Sequence, residues 1–250
     1  MNAFVKILSA ALFTFTASSQ ASQASDLTLK TNQGFALKAN FYQSNQASDR
    51  AVLLLHQCNY NRTMYNDIGQ QLSDKGVHAL SLDFRGFGES INDEFSVKKI
   101  QALPKKERSA AWQKMSTYWP SDVQLAYDHL KSKMSDKGIV GVVGASCGGS
   151  QAITLAENNP VNLIGFFSSG QRDENITRYK NILADKPTLI IASEKDTGTY
   201  ESAKKLFTAA TNKSSKFIAY KGSAHGYPLL DSDTQLASYM VGWLDSHLVK

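Results

Sequence analysis

The chain has 250 residues, 42% of them apolar and 20% charged, with a formal net charge of +5. That balance excludes a disordered or fibrous chain and fits one soluble domain with a substantial core. The basic residues are scattered. Even the densest groups, Lys98-Lys99 and Lys105-Lys106-Glu107-Arg108, lack an aromatic platform and read as solvated faces, so no nucleic-acid partner is expected.

Residues 1–24 read as an export leader. Lys6 gives a positive start, Ile7 to Phe15 is mostly apolar but short for a membrane span, and small residues allow cleavage after Ala21 or Ala24. The expectation is a periplasmic or secreted domain of residues 25–250, with no stable membrane insertion once the leader is gone. Thr28 to Tyr42 alternates polar and apolar residues around Asn32-Gln33-Gly34, a β-hairpin pattern. Ala51 to Leu55 and Val77 to Leu82 are short apolar runs that predict buried strands, with a helix over Tyr65 to Leu72 between them.

Ile91 to Trp119 breaks the rhythm with about thirty residues and no clean strand, longer than an ordinary connection. Its aromatic residues suggest a lid over 91–119, or a surface excursion that packs on itself. A helix follows over Asp122 to Leu130, started by Pro120-Ser121. Strands are then predicted at Ile139 to Val143, Val161 to Phe167, Thr188 to Ala192 and Lys216 to Tyr220, with helices at Gln151 to Glu157, Glu201 to Ala210 and Gln235 to Leu248. Strands alternating with helices mean βαβ units. The fold class is α/β, a mainly parallel sheet with helices on both faces and an antiparallel hairpin in front.

The chemistry concentrates at Gly144-Ala145-Ser146-Cys147-Gly148, where a strand hands over to a helix. A sharp strand–turn–helix forces its central residue into strained angles, and bulky neighbours two positions away would collide. The hydroxyl is then presented at the carboxyl end of the sheet, beside the free N–H groups of a helix start. A serine is a weak nucleophile without a base held by an acid. Where such an elbow carries the nucleophile, acid and imidazole follow it in that order. His225, in Gly222-Ser223-Ala224-His225-Gly226, is flexible enough to reach across, whereas His247 lies in the terminal helix. Asp196 is the first choice of acid and Glu194 the second, both just past the strand Thr188 to Ala192.

With these residues in order, the sequence resembles the α/β-hydrolase superfamily, and within it the dienelactone-hydrolase-like serine esterases. The resemblance runs from Ala51 to the C-terminus and rests on Leu53-Leu54-Leu55-His56-Gln57-Cys58, Asp83-Phe84-Arg85-Gly86-Phe87-Gly88-Glu89-Ser90, the elbow, the Asp196 loop and Ala224-His225-Gly226-Tyr227. It implies Ser146 as nucleophile, His225 as general base and Asp196 as its orienting acid. It also implies an oxyanion hole built from the Cys147 amide and an amide of the His56-Gln57-Cys58 loop. Many members carry His-Gly in that loop, so the second donor lies between Gln57 and Cys58, with Cys58 favoured by position. His56 is expected to be structural, and Asp83 and Arg85 to brace a turn. Candidate substrate contacts are Gln57, Tyr227 and the lid aromatics Phe95, Trp112 and Trp119.

Only two cysteines exist, Cys58 and Cys147; they have no metal-ligand spacing and build no disulfide framework. If both oxyanion amides belong to them, they flank one small hole. They then either bond across it or remain two small buried residues. The implied function is hydrolysis of a small or medium carboxylic ester with no cofactor and no metal. Thioesters and peptides use the same groups, and a non-catalytic binding protein on this fold is the rival class. Oligomeric state is not legible.

Overall fold

The computed structural model describes residues 24–249. All of the expected leader except Ala24 lies outside the described residues. The described chain forms an eight-stranded sheet: β1 (Ser25–Lys30), β2 (Ala36–Tyr42), β3 (Arg50–Leu55), β4 (His78–Leu82), β5 (Ile139–Ala145), β6 (Leu163–Phe167), β7 (Thr188–Ser193) and β8 (Lys216–Tyr220). Their spatial order is β1-β2-β4-β3-β5-β6-β7-β8. The pairings β1–β2 and β2–β4 are antiparallel and all others are parallel.

Nine helices surround the sheet among the described residues: α1 (Asn66–Asp74), α2 (Val97–Ala102), α3 (Lys105–Ser116), α4 (Trp119–Lys131), α5 (Cys147–Ala156), α6 (Asp173–Ile182), α7 (Thr199–Ala209), α8 (Tyr227–Ser232) and α9 (Leu236–His247). The central strands β3 to β7 are buried along nearly their whole length. Their side chains therefore alternate between two cores. Leu53 and Leu55 join Val123, Ile153 and Leu206 on the α4–α7 side, while Val52 and Leu54 join Ile68, Met240 and Leu244 on the side of α1, α8 and α9.

The segment 91–119 is mostly helical, which the sequence pattern does not show. α2 is capped by the Ser96 hydroxyl accepting from the Lys99 N–H, and α3 starts after Pro104. α3 buries little besides Met115 along its length, so its residues are polar and carry no clear helical stripe. The segment is pinned by Arg85, whose guanidinium binds Asp122 through Nε (3.0 Å) and Nη2 (2.7 Å). Arg85 also lies 4.3 Å from the Phe35 ring centroid, 5.3 Å from Phe95 and 4.1 Å from Tyr118. A charge this deep needs both its carboxylate and its aromatic faces. Asp83 has the turn-bracing part expected of it, accepting from the Arg62 and Glu89 N–H groups at 2.6 and 2.9 Å. α6 and α8 were not expected from sequence, and α4 begins three residues before Asp122. No helix among the described residues is long and apolar enough to cross a membrane.

Candidate active site

The candidate residues lie on loops at the carboxyl ends of parallel strands, where open α/β sheets place their ligands. Cys58 follows β3, Ser146 follows β5, Asp196 follows β7 and His225 follows β8. Ser146 takes φ 49° and ψ −116°. Such angles are disfavoured for a residue with a Cβ and carry strain on the order of 1–3 kcal/mol. The surroundings enforce them. The Ser146 N–H donates to the Phe167 carbonyl (3.0 Å), and the Ser146 carbonyl accepts from the Gly149 N–H (3.1 Å) and the Ser169 hydroxyl (2.5 Å). Gln171 Nε2 in turn donates to Ser169 Oγ at 2.7 Å. A Cβ on Gly144 would stand 2.4 Å from the Gly148 backbone, and one on Gly148 would stand 2.4 Å from the Leu55 carbonyl oxygen. The two glycines let the start of α5 touch both β5 and the end of β3.

His225 and Asp196 meet. Nδ1 of His225 lies 2.6 Å from Asp196 Oδ2, with the two side chains 33% and 17% exposed. A carboxylate at that distance fixes a proton on Nδ1 and leaves Nε2 as the basic nitrogen. Two further bonds align the loops: the Ser193 hydroxyl donates to the Ala224 carbonyl (2.6 Å) and the Lys195 N–H to the Gly222 carbonyl (2.8 Å). The Asp196 N–H closes a turn onto the Ser193 carbonyl at 3.0 Å, while Glu194 points to solvent. Among the described residues, neither the Ser146 hydroxyl nor Nε2 of His225 makes a hydrogen bond, to each other or to any other group. Links of this kind commonly close only when substrate is bound.

The loop after β3 touches the elbow through Cys147 and the His225 loop through Tyr227. A disulfide joins Cys58 to Cys147 with their Cα atoms 5.8 Å apart. Among the described residues, neither of these two amides donates a hydrogen bond. Gln57 is only 1% exposed. Its Oε1 accepts from the Tyr227 N–H at 2.7 Å and its Nε2 donates to Asn59 Oδ1 at 2.5 Å. Gln57 is thus turned into the protein as a strut to the His225 loop rather than toward a substrate. A buried amide side chain must satisfy both its ends, and these are the partners within reach. Tyr227 stacks on Tyr60 with ring centroids 4.3 Å apart. His56 is fully buried; its Nδ1 donates to the Gln57 carbonyl (2.7 Å) and its Nε2 accepts from the Phe84 N–H (3.0 Å). Burial drives its pKa down to about 4, so the ring is neutral.

A cleft of about 570 Å³ opens beside the Cys58 loop, lined by Cys58, Asn59, Tyr60, Asn61, Gly86, Phe87, Gly88, Ile91, Ser96, Val97, Lys98 and Gln101. Three expected lid contacts stand elsewhere. Phe95 is 5% exposed and packs on Arg85 and Phe35. Trp119 is 4% exposed, stacks on Phe84 and donates its indole N–H to the Arg85 carbonyl at 3.1 Å. Trp112 lies edge-on behind Phe87. The Arg85 guanidinium holds Phe95 and the Arg85 carbonyl holds Trp119, and the apolar wall of the cleft consists of Phe87, Ile91 and Val97. Ile91 is 51% exposed at that wall, a visible but ambiguous signal in the sequence. A larger hollow of about 670 Å³ lies by the amino ends of β3 and β4 and holds none of the candidate residues. No group of three or more His, Cys, Asp or Glu that could hold a metal ion gathers among the described residues.

The family model described as "Serine aminopeptidase, S33" matches residues 46–171. No curated protein matches the chain. Among solved structures, an esterase from an Arctic intertidal metagenomic library superposes with TM-score 0.69 at 15% identity, covering 96% of this chain and 100% of that one. A Pyrococcus furiosus esterase gives 0.67 at 16% identity over 96% and 98%. A dienelactone hydrolase from Anabaena variabilis gives 0.64 at 17% identity over 91% and 100%. At these identities the likeness is one of fold.

Proposed function

The chain belongs to the α/β-hydrolase family described as serine aminopeptidase S33, and on that premise we propose that this serine hydrolase cleaves a small or medium carboxylic ester through Ser146, His225 and Asp196. The observation that carries this reading is the 2.6 Å His225–Asp196 contact, made by loops at the same carboxyl edge of the sheet as a strained, glycine-flanked serine. In the first step Nε2 of His225 takes the Ser146 proton as Oγ attacks the carbonyl carbon. Asp196 holds the imidazole in the right tautomer and stabilises the imidazolium. The amides of Cys147 and Cys58 receive the developing oxyanion, at about 3–4 kcal/mol of transition-state stabilisation per donor. The imidazolium then protonates the leaving alcohol, and water, activated by the same ring, releases the acid and regenerates Ser146. Phe87, Ile91 and Val97 give the substrate an apolar wall.

The family's description favours a second reading, an aminopeptidase. Such an enzyme must hold a substrate ammonium group, and a carboxylate is the usual counter-charge. The residues lining the cleft include Lys98 and no Asp or Glu. That charge supports an ester over an N-terminal peptide. We also place the protein outside the cytoplasm, because the leader-like residues 1–24 and the Cys58–Cys147 bond both suit an oxidising compartment.

The test is Ser146→Ala. We expect a folded protein, judged by circular dichroism, that has lost p-nitrophenyl ester hydrolysis and labelling by a fluorophosphonate probe. Undiminished turnover in this variant would refute the assignment. Faster cleavage of aminoacyl p-nitroanilides than of esters by the wild type would favour the peptidase.

A further inference from the structure

We propose that the Cys58–Cys147 disulfide is a positioning element of the oxyanion hole, fixing one amide donor relative to the other, so that turnover depends on the oxidised bridge. This rests on the hydrolytic reading above and specifies what controls that site. The two bonded residues are held asymmetrically. Cys147 opens α5 directly after the braced elbow, where Gly148 is pressed against the end of β3 and Ser146 is held through its N–H and its carbonyl. Its amide is fixed whatever happens to its sulfur.

Cys58 has no such support. It lies in a turn beyond the last residue of β3, and among the described residues neither its N–H nor its carbonyl takes part in a hydrogen bond. The surrounding anchors act on its neighbour: the Gln57 carbonyl accepts from His56 Nδ1 and from the Tyr60 N–H (3.1 Å), and the Gln57 side chain holds the Tyr227 N–H. Besides packing against the core, the one bond that holds Cys58 among the described residues is covalent, and it runs to the other proposed donor residue, 89 positions away in sequence. An oxyanion donor is effective because it is already in place when charge develops. A tie that sets the spacing of two donors acts on that property.

The bridge is also within reach of solvent. Both cysteines are half-buried and Cys58 lines the cleft, so a small dithiol entering there meets the bond in the folded protein. One thiolate of the dithiol attacks a bridge sulfur, the S–S bond breaks and the other cysteine leaves as thiolate. The second reductant thiol then resolves the mixed disulfide. In sum, two electrons and two protons pass from the dithiol, which becomes a cyclic disulfide, to Cys58 and Cys147, which become thiols. Losing one oxyanion donor outright lowers kcat by about 100- to 1,000-fold, so a donor loosened but not deleted should lower it by about 10- to 100-fold. Substrate affinity should change little, because the donor acts on charge that exists only in the transition state.

The experiment measures p-nitrophenyl ester kinetics of the exported protein before and after dithiothreitol, with intact mass recording the gain of two hydrogens and near-UV circular dichroism recording the fold. The expected result is a 10- to 100-fold fall in kcat with KM nearly unchanged, recovery on reoxidation, and a similarly low kcat, indifferent to dithiothreitol, in C58S/C147S. C58A/C147A replaces that variant if the serine pair does not fold. Full kcat in a folded protein whose mass shows both thiols overturns the proposal. So does unfolding on reduction at the assay temperature, which assigns the bridge to global stability, and so does a rise in KM alone. Failure of the underlying reading looks different: Ser146→Ala then retains turnover whatever the state of the bridge.

Discussion

Acidifying the protein from about pH 7 to about pH 4 should remove about 3 kcal/mol of stability through one imidazole, His56. The ring is completely buried against Phe84 and Phe87, with centroids 4.6 and 5.1 Å away. It donates to one carbonyl and accepts from one amide, an arrangement that only the neutral form can satisfy. Desolvation is the main reason its folded pKa lies near 4 rather than at the ordinary 6.5. Because the folded value is depressed, the unfolded chain takes up a proton below pH 6.5 while the folded chain does not. Stability is whole above that pH, falls between 6.5 and about 4, and is flat below, where both states are protonated. At about 1.4 kcal/mol for each pH unit between the two values, the loss is about 3 kcal/mol. His78 and His129, also held below the ordinary imidazole range chiefly by burial, push the same way. The measurement is therefore a comparison with His56→Gln, which keeps a donor and an acceptor but does not titrate. Urea unfolding followed by tryptophan fluorescence, with the disulfide oxidised, should show the variant less stable near neutral pH by about 1–3 kcal/mol. The gap should close, or change sign, by pH 4. Parallel pH dependence of wild type and variant would refute the account of a buried, neutral ring.

Asp196→Asn should retain the fold and lower ester turnover by about 1,000- to 10,000-fold, since an amide no longer enforces the proton on Nδ1 of His225; a loss below tenfold in a kinetic assay would remove Asp196 from the proposed role. Asp122→Asn leaves the Arg85 guanidinium buried without its counter-charge and should destabilise the protein by about 3–5 kcal/mol in denaturant unfolding; a change under about 1 kcal/mol would show that the aromatic rings around Arg85 suffice. Gly148→Ala puts a methyl 2.4 Å from the Leu55 carbonyl oxygen and 3.0 Å from that of His56. It should cost about 1–3 kcal/mol by overpacking and also reduce kcat by displacing Cys58 from the elbow. Wild-type melting and kinetics in that variant would contradict the packing of α5 on β3.

Local pattern along the chain carried part of the fold and of the candidate site. Apolar runs of strand length alternating with helical spacing specify a parallel sheet with covered faces, and the glycine-flanked Ser146 at a strand–helix junction specifies an exposed hydroxyl at the sheet's carboxyl edge. Chain order narrowed the candidate base to His225. α6, with its sparse stripe of Ile176 and Tyr179, and the polar α3 left weaker traces, because exposed helices need little apolar periodicity. The remaining features depend on residues far apart in the chain meeting in space. The choice of Asp196 over Glu194 follows from the turn that directs one carboxylate to His225 and the other to solvent. The Cys58–Cys147 bond, the role of Gln57 and the inward draw of Phe95 and Trp119 toward buried Arg85 are likewise set by long-range packing. No periodicity encodes them, because a local pattern fixes which face a side chain takes and not which distant group it finds there.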